Sequence, residues 1–215
     1  MNIATTVTKN KGKRCGTAIR AKGQKRVLDI LNAARDILIE DGYSQFSLRN
    51  IAGRAGIHLS NLQYYFAGKD ELIHGLMDFI GKEYEDKYEE LDIGVIEDAH
   101  IRFEAILKFL TADIKDARTR RFFIQLWALL ESSDAHSGVL LNELYAIQIT
   151  QFNKLISIIN SGLSEGKIQQ RSAMITAMIE GMMLMYDDAD AKLEKHETGI
   201  AEEMRLQIMR IVMDN

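Results

Sequence analysis

The stretch Ser47–Leu72, SLRNIAGRAGIHLSNLQYYFAGKDEL, decides the fold of the chain. It holds two short helical segments, because Gly56 interrupts the first of them after about two turns. Ser47 is a typical N-cap for the first segment, which is predicted to end at Ala55. The Ser60–Gln63 sequence matches the S-x-x-Q capping box and is expected to begin the second segment. The stretch therefore predicts two short helices joined by a tight glycine turn.

A helix-turn-helix explains these features best. Ala52 is small enough to let two helices cross closely, and Gly56 can adopt the positive φ that the turn needs. The shared core is predicted to contain Ile51, Ala55, Ile57 and Leu62. The alternative, an ordinary corner between two helices of a helical protein, stays open on these residues alone because the pattern is short.

The rest of the chain also has helical patterning, so the predicted fold class is all-α. The 215 residues include no proline, and few segments alternate apolar and polar residues, so strands find little support. One helix is expected over 24–41, and another begins at Gly68–Lys69 and runs toward Leu91. Later helices are expected at about 97–115, 118–132, 136–164, 172–193 and 199–213, separated by turn signals that include Asp134, Gly162 with Gly166, and Gly199.

The charge of the chain is distributed unevenly. Residues 1–69 carry a net charge of +8 and residues 70–215 a net charge of −12. Such an asymmetry indicates that the N-terminal part meets a polyanion, although a solvated tail beside an acidic body would show the same balance. Residues 1–23 have no amphipathic period and no acidic residue, and they are predicted to form a disordered basic arm.

Three aromatic residues follow one another at the end of the second short helix. Successive helical residues point about 100° apart, so only one of Tyr64, Tyr65 and Phe66 can fill the core fully, and Phe66 is the residue expected to do so. The tyrosines are then exposed beside Asn61 and Gln63. Hydroxyl groups can bind phosphate oxygens and amides can pair with base edges, so the pattern predicts contact with a DNA major groove.

The neighbouring basic residues agree with this prediction. Lys69 lies at a helix N-terminus, where free backbone N–H groups favour an anion, and Ser47 begins the preceding helix in the same way. Arg49 is long enough to reach a guanine edge. Lys25 and Arg26 lie at the start of the first helix, in a position suited to phosphate contacts beside the groove.

The stretch resembles the N-terminal domain of the TetR family of bacterial transcriptional regulators. That family carries the signature A-G-V-[S]-x-x-x-L-Y-x-[YH]-F-x-x-K-[ED]-x-L after a helix that begins with Thr or Ser. The matching residues are Ala55-Gly56-Ile57, Leu62, Tyr64-Tyr65-Phe66, Lys69-Asp70-Glu71 and Leu72. With the upstream helix that ends in Gly42-Tyr43, the resemblance covers about 50 of the 215 residues.

The resemblance implies a role for individual residues. It places phosphate contacts on Ser47, Tyr65 and Lys69, and base or sugar contacts on Arg49, Ser60, Asn61, Gln63 and Tyr64. This sequence departs from the family at His58, where a capping Ser or Thr is usual, so the cap is expected to pass to Ser60. Gln63 replaces a common tyrosine and is then expected to serve the capping box.

For the remainder of the chain the resemblance implies a helical domain that binds a ligand and forms the dimer. The expected organisation is the arm at 1–23, a DNA-binding domain at 24–69 and an effector-binding and dimerisation domain at 70–215. The side chains expected to line an effector pocket are Phe123, Trp127, Glu131, Met178, Met182 and Tyr186. Aromatic and methionine side chains suit an apolar or amphipathic effector, although ordinary core packing explains each of them as well.

The last two helices carry apolar residues on more than one side, which predicts a homodimer through a four-helix interface. A two-fold axis calls for a palindromic operator on double-stranded DNA. The expected function is therefore a homodimeric, sequence-specific transcriptional regulator. The resemblance implies that it is a repressor and that a small-molecule effector releases it from DNA.

Two other classes of protein are alternatives to a transcriptional regulator. A metal-dependent helical enzyme is disfavoured because Glu97-x-x-His100 has no second copy, and no cofactor is expected. Cys15 is alone in the chain and cannot form an intrachain disulfide. No apolar run is long enough to span a membrane, so no membrane partner and a cytoplasmic location are expected. A helical protein-interaction module without sequence-specific DNA binding is the remaining alternative.

Overall fold

The computed structural model describes residues 21–132, 137–186 and 199–214. All regular secondary structure in these ranges is helical, which confirms the all-α fold class. Most of the predicted basic arm, together with Cys15, lies outside the described residues. Residues 21–23 belong to the first helix and not to the arm. Within the described ranges, no helix is long and apolar enough to cross a bilayer.

The described residues form nine α-helices. Their bounds are α1 Ala21–Glu40, α2 Leu48–Arg54, α3 Leu59–Tyr65, α4 Lys69–Glu90, α5 Ala99–Lys115, α6 Ala117–Glu131, α7 Ser137–Ile159, α8 Glu165–Met185 and α9 Ile200–Met213. Short 3-10 turns at Tyr43–Gln45 and Ile93–Val95 precede α2 and α5.

Local chemistry sets the ends of the first helices as the sequence predicted. Helix α1 stops where Gly42 adopts a φ of 85°, and the N–H groups of Asp41 and Gly42 both donate to Ile37 O at 2.9 Å. Helix α2 begins at Ser47, whose Oγ accepts from the Asn50 N–H at 3.2 Å. Gly56 then turns the chain toward α3 with a φ of 65°, a conformation that glycine adopts without a steric cost.

The first hydrophobic core lies among α1, α2, α3, the first half of α4, and α6. The apolar residues that α6 contributes to it are Phe122, Leu126, Leu129 and Leu130. The Gln125 side chain of α6 also accepts a hydrogen bond from the Tyr43 N–H at 2.8 Å. Helix α6 therefore packs against the N-terminal unit, which consists of α1, α2, α3 and the first half of α4, although α6 comes much later in the sequence.

The second hydrophobic core lies among α5, α7, α8 and α9, with Phe103, Phe152, Ile179 and Ile208 at its centre. Tyr84 of α4 and Phe123 of α6 pack against both cores. Their ring centroids are 6.3 Å apart in an edge-to-face arrangement, so an aromatic contact joins the two cores.

The start of α8 differs from the prediction. The helix begins at Glu165 and not at residue 172, because the Ser164 Oγ caps it by accepting from the Lys167 N–H at 3.4 Å. Gly166, predicted to lie in a turn, is therefore inside the helix. The end predicted at residue 193 lies outside the described residues.

Helices α3 and α4 meet at a contact that leaves no room for an additional atom. The Phe66 ring is fully buried, and a Cβ added at Gly75 of α4 would lie 2.7 Å from Phe66 Cε1. Aromatic rings in a packed core cannot move freely to relieve such an overlap. Glycine at position 75 is therefore required for this packing.

We expect Gly75→Ala to lower the free energy of unfolding by about 1–3 kcal/mol, since the overlap outweighs the better helix propensity of alanine. Gly81→Ala on the same helix is the matched control, because a Cβ there would meet no atom within 4 Å. It should be neutral or stabilising by up to about 1 kcal/mol. Urea unfolding measures both, and equal stability of the two variants would contradict the packing described.

Candidate DNA interface and effector site

Helix α3 buries one side and exposes the other, as predicted. Leu62 and Phe66 have no exposed surface, whereas Tyr64 is 70% exposed. Tyr65 is half-buried against the first core, and its ring meets that of Tyr64 edge-to-face with centroids 5.1 Å apart. Of the three aromatic residues, only Phe66 is fully buried in the core, and Tyr64 is exposed on the surface.

The predicted capping box at Ser60 is wrong. The N-cap of α3 is His58, which makes no side-chain cap hydrogen bond, and the His58 O accepts from the N–H groups of Asn61 and Leu62. The turn at Gly56 ends with a hydrogen bond from the Ile57 N–H to Ala52 O at 2.9 Å. Helix α3 can therefore begin directly after His58, before Ser60. Neither Ser60 nor Gln63 is occupied by capping.

The polar residues of the exposed side of α3 lack partners within the protein. Among the described residues, the exposed side chains of Ser60, Asn61 and Gln63 make no hydrogen bond or ion pair. At about 100° per residue, these three and Tyr64 spread over roughly 160° of the helix opposite Leu62. Their hydrogen-bonding groups are therefore available to an external partner.

The cations on α1, α2 and the start of α4 fall into two groups. Lys25, Arg49 and Lys69 are exposed and form no ion pair with any described residue. Arg54, by contrast, binds Glu40 at 2.5 Å and Asp41 at 2.6 Å, and these carboxylates raise its pKa. Arg26 lies 3.6 Å from Asp29. The unpaired cations are thus residues predicted to contact DNA.

The turn between α3 and α4 is held by a carboxylate. Glu71 accepts a hydrogen bond from the Ala67 N–H at 2.7 Å, which fixes the start of α4 and with it the position of Lys69. At the other helix start, the Ser47 Oγ accepts from Asn50 and can still donate its own proton. Both predicted phosphate-binding helix starts are therefore ordered without a ligand.

The residues predicted to line the effector pocket do not share one environment. Met182 and Tyr186 are buried in the second core, and Phe123, Trp127 and Met178 are half-buried beside it. Glu131 is exposed at the C-terminal end of α6, so its carboxylate lies on the surface of the chain. A different acidic residue, Glu180, has a buried carboxylate oxygen.

Glu180 of α8 is the residue that the sequence-based prediction missed. Its Oε2 atom is buried and has no hydrogen-bond partner among the described residues. Burial raises the pKa of Glu180 to about 7, because a low-dielectric environment disfavours the charged carboxylate. The signal was present as an acidic residue inside the methionine-rich segment 178–183.

Other buried polar groups lie on helices α6 and α7, which pack against α8. The Trp127 Nε1 of α6 and the Gln148 Nε2 of α7 are also buried without a partner among the described residues. Tyr145 of α7 has a raised pKa because of burial and the charge of Glu180, while the nearby Trp127 indole opposes this shift. The Trp127 indole lies near Tyr145, but its N–H group does not form a hydrogen bond of normal geometry.

Glu180 should make stability depend on pH. Its folded pKa exceeds its unfolded pKa, so its favourable contribution is complete below the unfolded pKa and is lost as pH rises through about 7. Glu180→Gln cannot ionise. We therefore expect this variant to have a free energy of unfolding up to about 3 kcal/mol above that of the parent at pH 8, and much closer at pH 5.

Urea unfolding at both pH values measures this difference. Glu89→Gln, which changes an exposed acid on α4, is the control and should show no such dependence. The same stability difference between Glu180→Gln and the parent at pH 5 and pH 8 would contradict the buried carboxylate.

No three His, Cys, Asp or Glu side chains within the described ranges come together as possible metal ligands. Glu97 is exposed before α5 and His100 is half-buried in its first turn. Comparison with known proteins bears on the enzyme alternative more directly.

Residues 30–76 match the family model described as bacterial regulatory proteins, tetR family. An uncharacterized HTH-type transcriptional regulator in the dhlA 5' region of Xanthobacter autotrophicus is 22% identical over 183 residues, which cover 82% of this chain and 89% of that protein. The matched segment contains α2, α3 and the start of α4, so the family model covers the helix-turn-helix itself.

Solved structures share the fold at low sequence identity. A transcriptional regulator from Pseudomonas aeruginosa PAO1 superposes with a TM-score of 0.69 at 16% identity, covering 90% of this chain and 91% of that chain. The regulator FadR from Bacillus subtilis, in complex with stearoyl-CoA, gives a TM-score of 0.65 at 18% identity, with 87% and 97% covered. The predicted resemblance is thus confirmed for residues 30–76, which match the N-terminal model of the TetR family, and this match supports a DNA-binding transcriptional regulator and not an enzyme.

Proposed function

We propose that the protein is a cytoplasmic homodimeric repressor that binds a palindromic operator and is released from it by a small-molecule effector. The observation that carries the DNA-binding part is the set of polar and cationic side chains around α3 that have no partner among the described residues. Most other arginines of the described ranges bind a carboxylate or a backbone carbonyl, and a set of groups without such partners supports an external polyanion as the partner.

The phosphate contacts in this proposal belong to Ser47, Tyr65, Lys69, Lys25 and Arg26. Lys69 is the strongest of them, since the free N–H groups at the start of α4 add to its charge. Arg26 is the weakest, because it must leave Asp29 to bind a phosphate. The base-facing residues are Arg49, Ser60, Asn61, Gln63 and Tyr64, and the absence of a capping box leaves Ser60 and Gln63 available for this role.

The homodimer is supported by apolar surface on α8 and α9. Met174 and Met185 of α8 are 47% and 69% exposed, and Leu206 and Met213 of α9 are 41% and 51% exposed. Exposed apolar side chains on adjacent helices favour association with a second copy of the same surface. Two copies of this helix pair would form a four-helix interface around a two-fold axis.

Helix α4 is the element through which an effector would act on DNA binding. It starts at Lys69 and reaches Tyr84, which packs against both cores, about 22 Å further along its axis. Arg35 of α1 binds both carboxylate oxygens of Glu83 at 3.0 and 2.8 Å, so α1 moves with α4. An effector that prefers a different α4 position would displace both DNA-binding units and lower operator affinity.

The effector in this proposal is apolar or amphipathic and lies among α4, α6, α7 and α8. Phe123, Trp127, Met178, Met182 and Tyr186 supply apolar contacts there. The exposed Glu131 lies at the edge of this region, where it is placed to meet the polar end of a ligand. The FadR neighbour, with 18% identity, was crystallised with stearoyl-CoA, which supports the amphipathic character of the effector but neither its charge nor its identity.

We expect Lys69→Ala and Tyr65→Phe each to weaken binding to duplex DNA by roughly tenfold, because each removes a hydrogen bond to a charged phosphate. The slope of log affinity against log salt should fall by about one for Lys69→Ala and change little for Tyr65→Phe, which removes no charge. Fluorescence anisotropy of a labelled duplex at several salt concentrations measures both effects.

The control for this experiment is Lys82→Ala. Lys82 lies on the same helix and is exposed, but it pairs with Asp86 at 2.6 Å and lies far from α3. It should bind DNA as the parent does. If Lys69→Ala and Tyr65→Phe bound as tightly as Lys82→Ala, the phosphate assignments would be wrong and a protein-interaction module would explain the surface better.

A further inference from the structure

The interior between α6, α7 and α8 contains polar atoms that the fold does not satisfy. Glu180 Oε2, Trp127 Nε1 and Gln148 Nε2 come from these three helices, and each is buried without a partner among the described residues. A buried polar group without a partner lowers the stability of the fold. Such groups call for an explanation, and a bound molecule that supplies the missing partners is one.

Glu180 brings a negative charge to this interior that no described cation balances directly, although Lys87 lies 5.5 Å from the centre of the neighbouring Tyr84 ring. The Glu180 carboxylate has no cationic partner among the described residues. Asp113 of α5, another acid near Tyr84, accepts hydrogen bonds from the Tyr84 and Thr119 hydroxyl groups and lies 3.8 Å from the Lys87 Nζ atom. A ligand with a positive group would therefore supply the charge that Glu180 lacks.

Aromatic rings form the walls next to Glu180. Tyr84 lies within electrostatic reach of the carboxylate, and it contacts Phe123 and Phe109 edge-to-face. Trp127 follows Phe123 by one turn on α6, and Tyr145 lies near both Trp127 and Glu180. Ring faces attract cations and also bury apolar groups. Because Lys87 already lies over the Tyr84 and Phe109 rings, Trp127 and Tyr145 are the rings that suit the charged part of an amphipathic cation.

We propose that this interior binds an amphipathic organic cation, with the charged group against Glu180 and the apolar body against Trp127 and the neighbouring aromatic rings. The unpartnered N–H group of Trp127, which lies near Tyr145 as Glu180 does, is suited to an acceptor atom of the same ligand. Gln148 follows Tyr145 by three residues on α7, so its N–H group is on the same side of that helix. This inference rests on the proposed function, because it identifies the chemical class of the effector. An anionic amphiphile would place its charge beside Glu180 and would be disfavoured.

Trp127 makes the proposal directly testable because it is the sole tryptophan of the chain. The full-length protein is titrated with decyltrimethylammonium and tetraphenylphosphonium as cationic probes, and with decanoate as the anionic counterpart of equal chain length. Binding is followed by Trp127 fluorescence and by calorimetry below the concentrations at which the amphiphiles form micelles.

At least one cationic probe should bind at least about tenfold more tightly than decanoate and change Trp127 fluorescence. Glu180→Gln should weaken that probe by at least about tenfold, since it removes the charge but keeps the shape. Glu89→Gln, an exposed acid on α4, should bind as the parent does.

Three outcomes would overturn the proposal: no binding of either cation, equal binding of cation and decanoate, or unchanged cation affinity in Glu180→Gln. Binding of the parent protein to duplex DNA is measured in parallel without any ligand. A failure of DNA binding there would count against the proposed function, whereas a failure of cation binding alone would remove only the ligand class.

Discussion

The contact between the Phe66 ring and the bare Cα of Gly75 is the constraint on which the rest of the structure depends. It brings α3 against α4 more closely than any side chain would allow, since an added Cβ would lie 2.7 Å from the ring. The same ring completes the first core from the end of α3. The orientation of the exposed side of α3 is therefore tied to the position of α4.

Helix α4 carries this constraint to the second core. Its first half belongs to the N-terminal unit through Leu72, Ile73 and Leu76, and its second half presents Tyr84 and Tyr88 to the larger helical part. Phe123 of α6 contacts Tyr84, and α6 also packs against the N-terminal unit through the first core. A change in packing around Tyr84 can thus alter the position of α3 without any direct contact between an effector and the DNA interface.

The sequence predicted the N-terminal half better than the C-terminal half, and the reason is local. Ser47, Gly42 and Gly56 act on their own backbone, so their effects follow from residue type. The start of α8 was missed because two glycines resemble a turn, whereas the cap at Ser164 overrides Gly166. The prediction of a capping box at Ser60 was wrong because the hydrogen bond between Ile57 and Ala52 ends the turn earlier, so that α3 begins before Ser60.

The interior polar cluster could not be predicted in the same way. Glu180, Trp127 and Gln148 lie on three helices that are distant in sequence, and periodicity alone does not show which of their atoms remain without partners. The sequence did indicate the methionine-rich segment around Glu180, but the acid expected to serve the pocket was Glu131, which is exposed. The placement of a buried charge depends on tertiary packing and not on local propensity.

The central claim, that two copies of α3 contact DNA around a two-fold axis, is tested most directly by selecting bound duplexes from a random library at near-physiological salt. Two copies of α3 related by a two-fold axis should select a palindromic motif whose half-sites lie about one helical turn apart or a multiple of it. Recovery of only unrelated sequences, lost as the salt concentration rises, would show that the basic residues bind phosphates without sequence recognition, and it would contradict the claim.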